Sequence, residues 1–117
     1  MTIPLTPDTL ASAWDYICTI PPLSEWNLPD SEEITFRVVK TKKIYAQLSY
    51  IRKKYLVEVS EAKCGRHETL LSTLAHEACH MHQHSACFMN KRNSHDKAFW
   101  LLADEVCRVH EFDRKLF

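Results

Sequence analysis

Hydrophobic and polar positions divide the chain into stretches of different period. In the first, Leu10, Trp14, Ile17 and Cys18 recur at helical spacing behind Thr6-Pro7-Asp8, where a hydroxyl, a proline and an acid stand in the order that starts a helix. Pro21, Pro22 and Pro29 end that helix and make 19–33 a loop. The period then shortens to two. Ile34, Phe36 and Val38 alternate with polar residues, Ile44, Ala46, Leu48 and Tyr50 do the same, and Tyr55, Val57 and Val59 form a third set in which Leu56 interrupts the polar side. Lys42-Lys43 and Arg52-Lys53 separate the sets. These links are short enough to predict antiparallel neighbours, although neither is an Asn-Gly turn.

After Cys64-Gly65-Arg66 the pattern becomes helical. With His76 at zero and about 100° per residue, Leu70, Leu71, Leu74, Ala75, Ala78 and Met81 fall between about 120° and 260°. Thr73, His76, Glu77, His80 and His84 fall between 0° and about 100°. One face therefore predicts a core and the other presents imidazoles. A last helix is expected from about Ser94 to about Asp113, with Ala98, Phe99, Leu102, Ala103, Val106 and Val109 on one stripe and His95 at its N-terminal end. The pattern predicts one α+β domain over 1–117, with an N-terminal helix, a small three-stranded antiparallel sheet and two further helices.

Composition narrows the function. Lys plus Arg and Asp plus Glu are both 15, so bulk charge does not mark a polyanion binder. The distribution is uneven: 1–35 carries six acids and no Lys or Arg, while 36–66 carries nine basic residues against Glu58 and Glu61. The two segments could attract each other, or the basic one could face an anionic partner. No apolar run reaches membrane length and no signal peptide is recognisable at the start, so a cytoplasmic protein is expected. Gly65 is the only glycine, which excludes a glycine-rich phosphate loop. The cysteines Cys18, Cys64, Cys79, Cys87 and Cys107 are odd in number and form no C-x-x-C pair, so reduced thiols are expected.

The chemistry concentrates at His76-Glu77-Ala78-Cys79-His80. Two imidazoles four residues apart project from one helical face and can share a tetrahedral Zn²⁺, with the intervening Glu77 as general base. A catalytic site of this kind needs a third protein ligand. The extended pattern with glycine and histidine after the second ligand is absent, since Gln83 and Ala86 occupy those positions. His95, at the start of the next helix, is the candidate. His84 reads as a site-rim residue, His82 as structural at the helix end, and Cys79 as a buried thiol. His67 opens the helix, and His110 closes the last one, where a cationic ring would suit the helix C-terminus.

From about Tyr55 to about Phe112 the chain resembles the SprT-like zinc metallopeptidases, the group that includes Spartan. The resemblance lies in a strand ending at Ser60, the run Leu70-Leu71-Ser72-Thr73-Leu74-Ala75-His76-Glu77-Ala78-Cys79-His80, and His95 at the matching distance, followed by Phe99. It implies that His76, His80 and His95 bind one Zn²⁺ per chain and that Glu77 is the catalytic base. Ser94 and Asp96 flank His95 where members often have glycine, so the local backbone is expected to differ. The sequence to Phe117 shows no C-terminal zinc ribbon, which predicts a compact version of the domain.

Three functions compete at this level. The first is a peptidase acting on a protein substrate, which could pair with a sheet edge. Tyr45, Tyr50, Tyr55, His84 and nearby arginines are its candidate oxyanion stabilisers. The second is a zinc-containing binding module without proteolysis. The third is a nucleic-acid-associated protein docking through the basic segment; nucleic acid is expected to bind weakly, below protein as a partner.

Overall fold

The computed structural model describes residues 4–86 and 95–117. Helix α1 is Pro7–Ile17. Thr6 caps it: its Oγ1 accepts from the Thr9 backbone N–H at 3.1 Å, and Pro7 fills the first helical position, where no N–H is needed. Leu10, Trp14 and Ile17 are its buried face. The following loop holds short 3₁₀ turns at Leu23–Glu25 and Ser31–Glu33, and the carbonyl of Pro29 accepts from the Trp14 indole at 3.1 Å.

The strands are β1 (Ile34–Val39), β2 (Ala46–Ile51) and β3 (Lys54–Ser60). Their order is β1-β3-β2, with β1 parallel and β2 antiparallel to β3. The sheet is therefore mixed, which corrects the expected antiparallel meander. Two features explain it. The Arg52-Lys53 link has positive φ at both residues (52° and 64°), as a two-residue I′ hairpin turn requires, so β2 and β3 must be neighbours. The six residues 40–45 are long enough to step over one strand, a jump of about 10 Å, and leave the central place to β3.

Register aligns the alternating sets into cross-strand rows: Ile34, Tyr55 and Tyr50; Phe36, Val57 and Leu48; Val38, Val59 and Ala46. This face meets the helices, and Val57 and Val59 are fully buried. Ile44, expected on the same face, precedes β2 and is 38% exposed. Among the described residues no ion pair joins the acidic segment to the basic one; Arg37 instead reaches Glu58 across the β1–β3 pair at 3.7 Å.

Helix α2 is His67–Ser85 and α3 is Lys97–His110. Leu70, Leu74, Ala75, Ala78 and Met81 enter one core with Leu10, Trp14 and Ile17 of α1 and Phe99, Ala103 and Val106 of α3. The imidazole side of α2 is also largely covered. Thr73, Glu77, His80 and Gln83 are buried as well, because β2, α3 and the C-terminal segment cover that side. Helix α3 starts later than expected, at Lys97, with Asp96 as its cap; Ser94, the expected start, lies outside the described residues. No helix among the described residues is long and apolar enough to cross a membrane. Cys18, Cys64, Cys79 and Cys107 are unpaired, and Cys87 lies outside the described residues.

Candidate metal centre

His76 and His80 stand one helical turn apart on α2, so their rings project from the same side. His95 arrives from α3's end of the molecule, but not from the helix itself. It precedes Asp96, whose carboxylate accepts from the Phe99 N–H at 3.0 Å and caps α3. The sequence reading put His95 on the core-facing stripe of a helix; in the structure it is exposed and in the turn before the cap. A turn residue is not bound to a helical face, so the ring can reach back to α2. The identity of Asp96 is accounted for by this cap. Its carboxylate also receives a long hydrogen bond, 3.5 Å, from Nε2 of the buried Gln83 on α2.

The Nε2 atoms of the three histidines converge. His76 and His95 are 3.1 Å apart, and His80 lies 3.2 Å from each. An imidazole nitrogen carries at most one proton, so this triangle cannot be three independent hydrogen bonds. Around a tetrahedral zinc with Zn–N bonds of 2.0–2.1 Å, ligand nitrogens stand about 3.3 Å apart. The triangle has those dimensions, and this set can hold one metal ion.

The surroundings favour the metal-binding form of the rings. The His76 Nδ1–H donates to the Phe117 carbonyl at 2.7 Å, which leaves its Nε2 lone pair pointing into the triangle. Burial drives the His76 pKa down to about 4, against the opposing effect of that carbonyl, and drives His80 down to about 3 with help from the neighbouring imidazoles. Both rings are therefore neutral at physiological pH. Phe99 forms the floor beneath all three: it stacks on His80 (4.5 Å, 19°), tilts against His76 (4.9 Å) and stands edge-on to His95 (4.9 Å).

Glu77 is 6% exposed, and burial pushes its carboxyl up to about 7. With His76 and His95 it lines a cleft of about 560 Å³. One wall is Ile44, Tyr45 and Ala46 at the start of the outer strand β2; the other is Leu116 and Phe117. A carboxyl poised near neutrality beside a metal-competent triad is equipped to accept and release a proton within this cleft.

The remaining sequence candidates separate clearly. Tyr45 lines the cleft, as does Arg66. Tyr50, Tyr55 and His84 form their own cluster, with the Tyr55 hydroxyl 2.8 Å from His84 Nδ1 and the Tyr50 ring 4.6 Å from that of His84. His82 stacks flat on Trp26 at 4.5 Å, the structural role expected of it. Cys79 is fully buried and its thiol is held strongly protonated by desolvation. His110 closes α3 but burial lowers its pKa, so it stays neutral rather than supplying the expected cation. The feature missed from sequence is the Phe117 carbonyl, a backbone group that leaves no residue-type signal.

No curated protein and no solved structure matches the chain. A family model does, over residues 24–115, a span that takes in the three strands, α2, α3, Glu77 and the three converging histidines. By this match the chain belongs to the SprT-like family.

Proposed function

We propose that the protein is a zinc-dependent peptidase of the cytoplasm, with protein substrates, His76, His80 and His95 as ligands of one Zn²⁺, and Glu77 as catalytic base. The observation that carries this reading is the Nε2 triangle with a buried glutamate opening onto the same cleft. A Zn²⁺ held by His76, His80 and His95 would supply Lewis acidity toward a carbonyl and a water. Glu77 takes the proton from the attacking water and passes it to the leaving amine. Strand β2 is an edge of the sheet, and residues at its start line the cleft, so an extended substrate segment can pair with it. Of the proposed oxyanion donors, Tyr45 and Arg66 line this cleft and the Tyr50–Tyr55–His84 cluster does not. The four cysteines among the described residues are unpaired, which agrees with a reducing compartment.

The test is hydrolysis of an unfolded protein by zinc-loaded wild type beside Glu77→Gln. The glutamine is nearly isosteric but cannot serve as base at neutral pH. Cleavage should fall by about 10²–10⁴-fold while metal content stays at one zinc per chain. Equal rates would refute the mechanism, and a zinc-loaded wild type that cleaves nothing would favour the binding-module reading.

A further inference from the structure

Beyond Glu111 the chain does not leave the molecule. Glu111 takes left-handed backbone angles (φ 61°, ψ 34°), which ends α3 and reverses the chain. The returning segment is fastened at several points. Phe112 stacks on His110 at 5.3 Å. The Arg114 guanidinium lies 3.9 Å over the Trp100 ring and pairs with Asp104, both residues of α3. Asp113 closes a turn, its carbonyl accepting from the Leu116 N–H at 3.0 Å and its carboxylate from the Lys115 N–H at 2.9 Å. Phe117 then reaches the metal centre. Its ring lies 5.3 Å from that of His76 and 6.5 Å from that of Phe99, and its carbonyl accepts the His76 Nδ1 proton at 2.7 Å.

We infer that the segment 112–117 is a positioning strap for the metal site: the Phe117 carbonyl selects the Nδ1–H tautomer of His76 and fixes its ring, and Arg114 holds the strap in place. This rests on the metal-centre reading above. The physical reason is that a ligating imidazole must present a bare nitrogen, and a hydrogen bond to the other nitrogen decides which one that is. The bond matters most at His76, because among the described residues the buried Nδ1 of His80 has no hydrogen-bond partner that could do the same. The strap also supplies one wall of the cleft through Leu116 and Phe117, so the element that orients the ligand borders the path a substrate takes.

Zinc affinity, measured by competition with a chromophoric chelator, tests this without reference to hydrolysis. The full chain is compared with Arg114→Ala, Arg114→Lys and a chain shortened to end at Asp113. Loss of the carbonyl should weaken zinc binding by about 10–100-fold, the usual cost of removing an outer hydrogen bond to a ligand. Arg114→Ala should move affinity the same way by less, and Arg114→Lys, which keeps the charge beside Asp104, should restore part of it. Nitrogen NMR of the metal-free proteins adds a readout that a merely structural strap would not move. His76 should be in the Nδ1–H form in the full chain and a mixture of tautomers in the shortened one. Should the shortened chain fail to fold, Arg114→Ala at an unchanged metal-free melting temperature decides through both readouts. Wild-type affinity and tautomer in the shortened chain, or in Arg114→Ala if only that variant folds, would overturn the strap. A full chain that binds no zinc would overturn the metal centre and the strap together, whereas zinc binding without hydrolysis would count against the peptidase alone.

Discussion

On α2, His76 and His80 turn their Nε2 atoms toward each other and toward His95, whereas His82 and His84, at the far end of the same helix, are taken up by aromatic partners. The residue type is the same and the spacing is nearly the same, since His84 continues the i, i+4 series. What differs is the surrounding fold. His76 and His80 meet a turn that brings in a third imidazole and, for His76, a carbonyl that occupies its second nitrogen. His84 meets the β2–β3 hairpin, where Tyr55 engages its Nδ1. A histidine in a periodic series is thus assigned by the groups that reach it from other elements.

The comparison breaks most sharply at the third ligand. His95→Ala should reduce zinc affinity by more than about 100-fold, because losing a ligand exceeds the loss of an outer hydrogen bond. His84→Ala should leave affinity at the wild-type value. The two variants should also differ in heat. His95 is exposed and outside α3, so His95→Ala should melt like wild type without metal but lose the extra stability that zinc confers on the intact triad. Chelator competition and melting curves with and without zinc check both halves. Zinc retained at wild-type affinity by His95→Ala would remove it from the ligand set.

A smaller effect sharpens the other side. Tyr55→Phe deletes the hydroxyl that meets His84 at 2.8 Å in a half-buried setting. Unfolding free energy should fall by about 1 kcal/mol, the net worth of one such hydrogen bond, with zinc affinity unchanged. Urea midpoints at a constant slope would measure it. A parallel drop in zinc affinity would show that the two histidine groups are coupled rather than separate.

How much of this was readable in advance follows the range of each interaction. The Thr6 cap, the alternating strands and the i, i+4 pair are local, and local spacing carries them. The strand order was misread because a six-residue link permits two routes, to the neighbouring place or past it, and the apolar spacing within each strand is the same for both. The position of His95 was misread for a related reason: its apolar neighbours share a helical stripe, but of the several capping residues there the fold uses Asp96, which moves the helix start past His95. The Phe117 carbonyl had no signal at all, since every residue has one and only the folded chain shows which carbonyl meets a ligand.

The smallest effect concerns the basic segment. In sequence, the nine Lys and Arg residues of 36–66 gather largely at the two links between strands, which predicts two separated clusters rather than one track. In the sheet, Lys40, Lys42 and Lys43 follow β1, while Arg52, Lys53 and Lys54 lie at the β2–β3 turn, at the opposite end of the strands, and all six are exposed. Six residues of β2 span about 20 Å, more than twice the screening length of about 8 Å at physiological salt. The clusters therefore act as two small patches. Each can neutralise about three phosphates, so the logarithm of affinity should fall with the logarithm of salt at a slope of about −3 or less steep. Fluorescence anisotropy with a short duplex should detect weak binding at low salt that vanishes by about 0.15 M. Tight binding at that salt, abolished by Arg52→Glu, Lys53→Glu and Lys54→Glu together, would mean that one cluster docks on DNA with support from other parts of the surface, and would raise nucleic acid above protein as the partner.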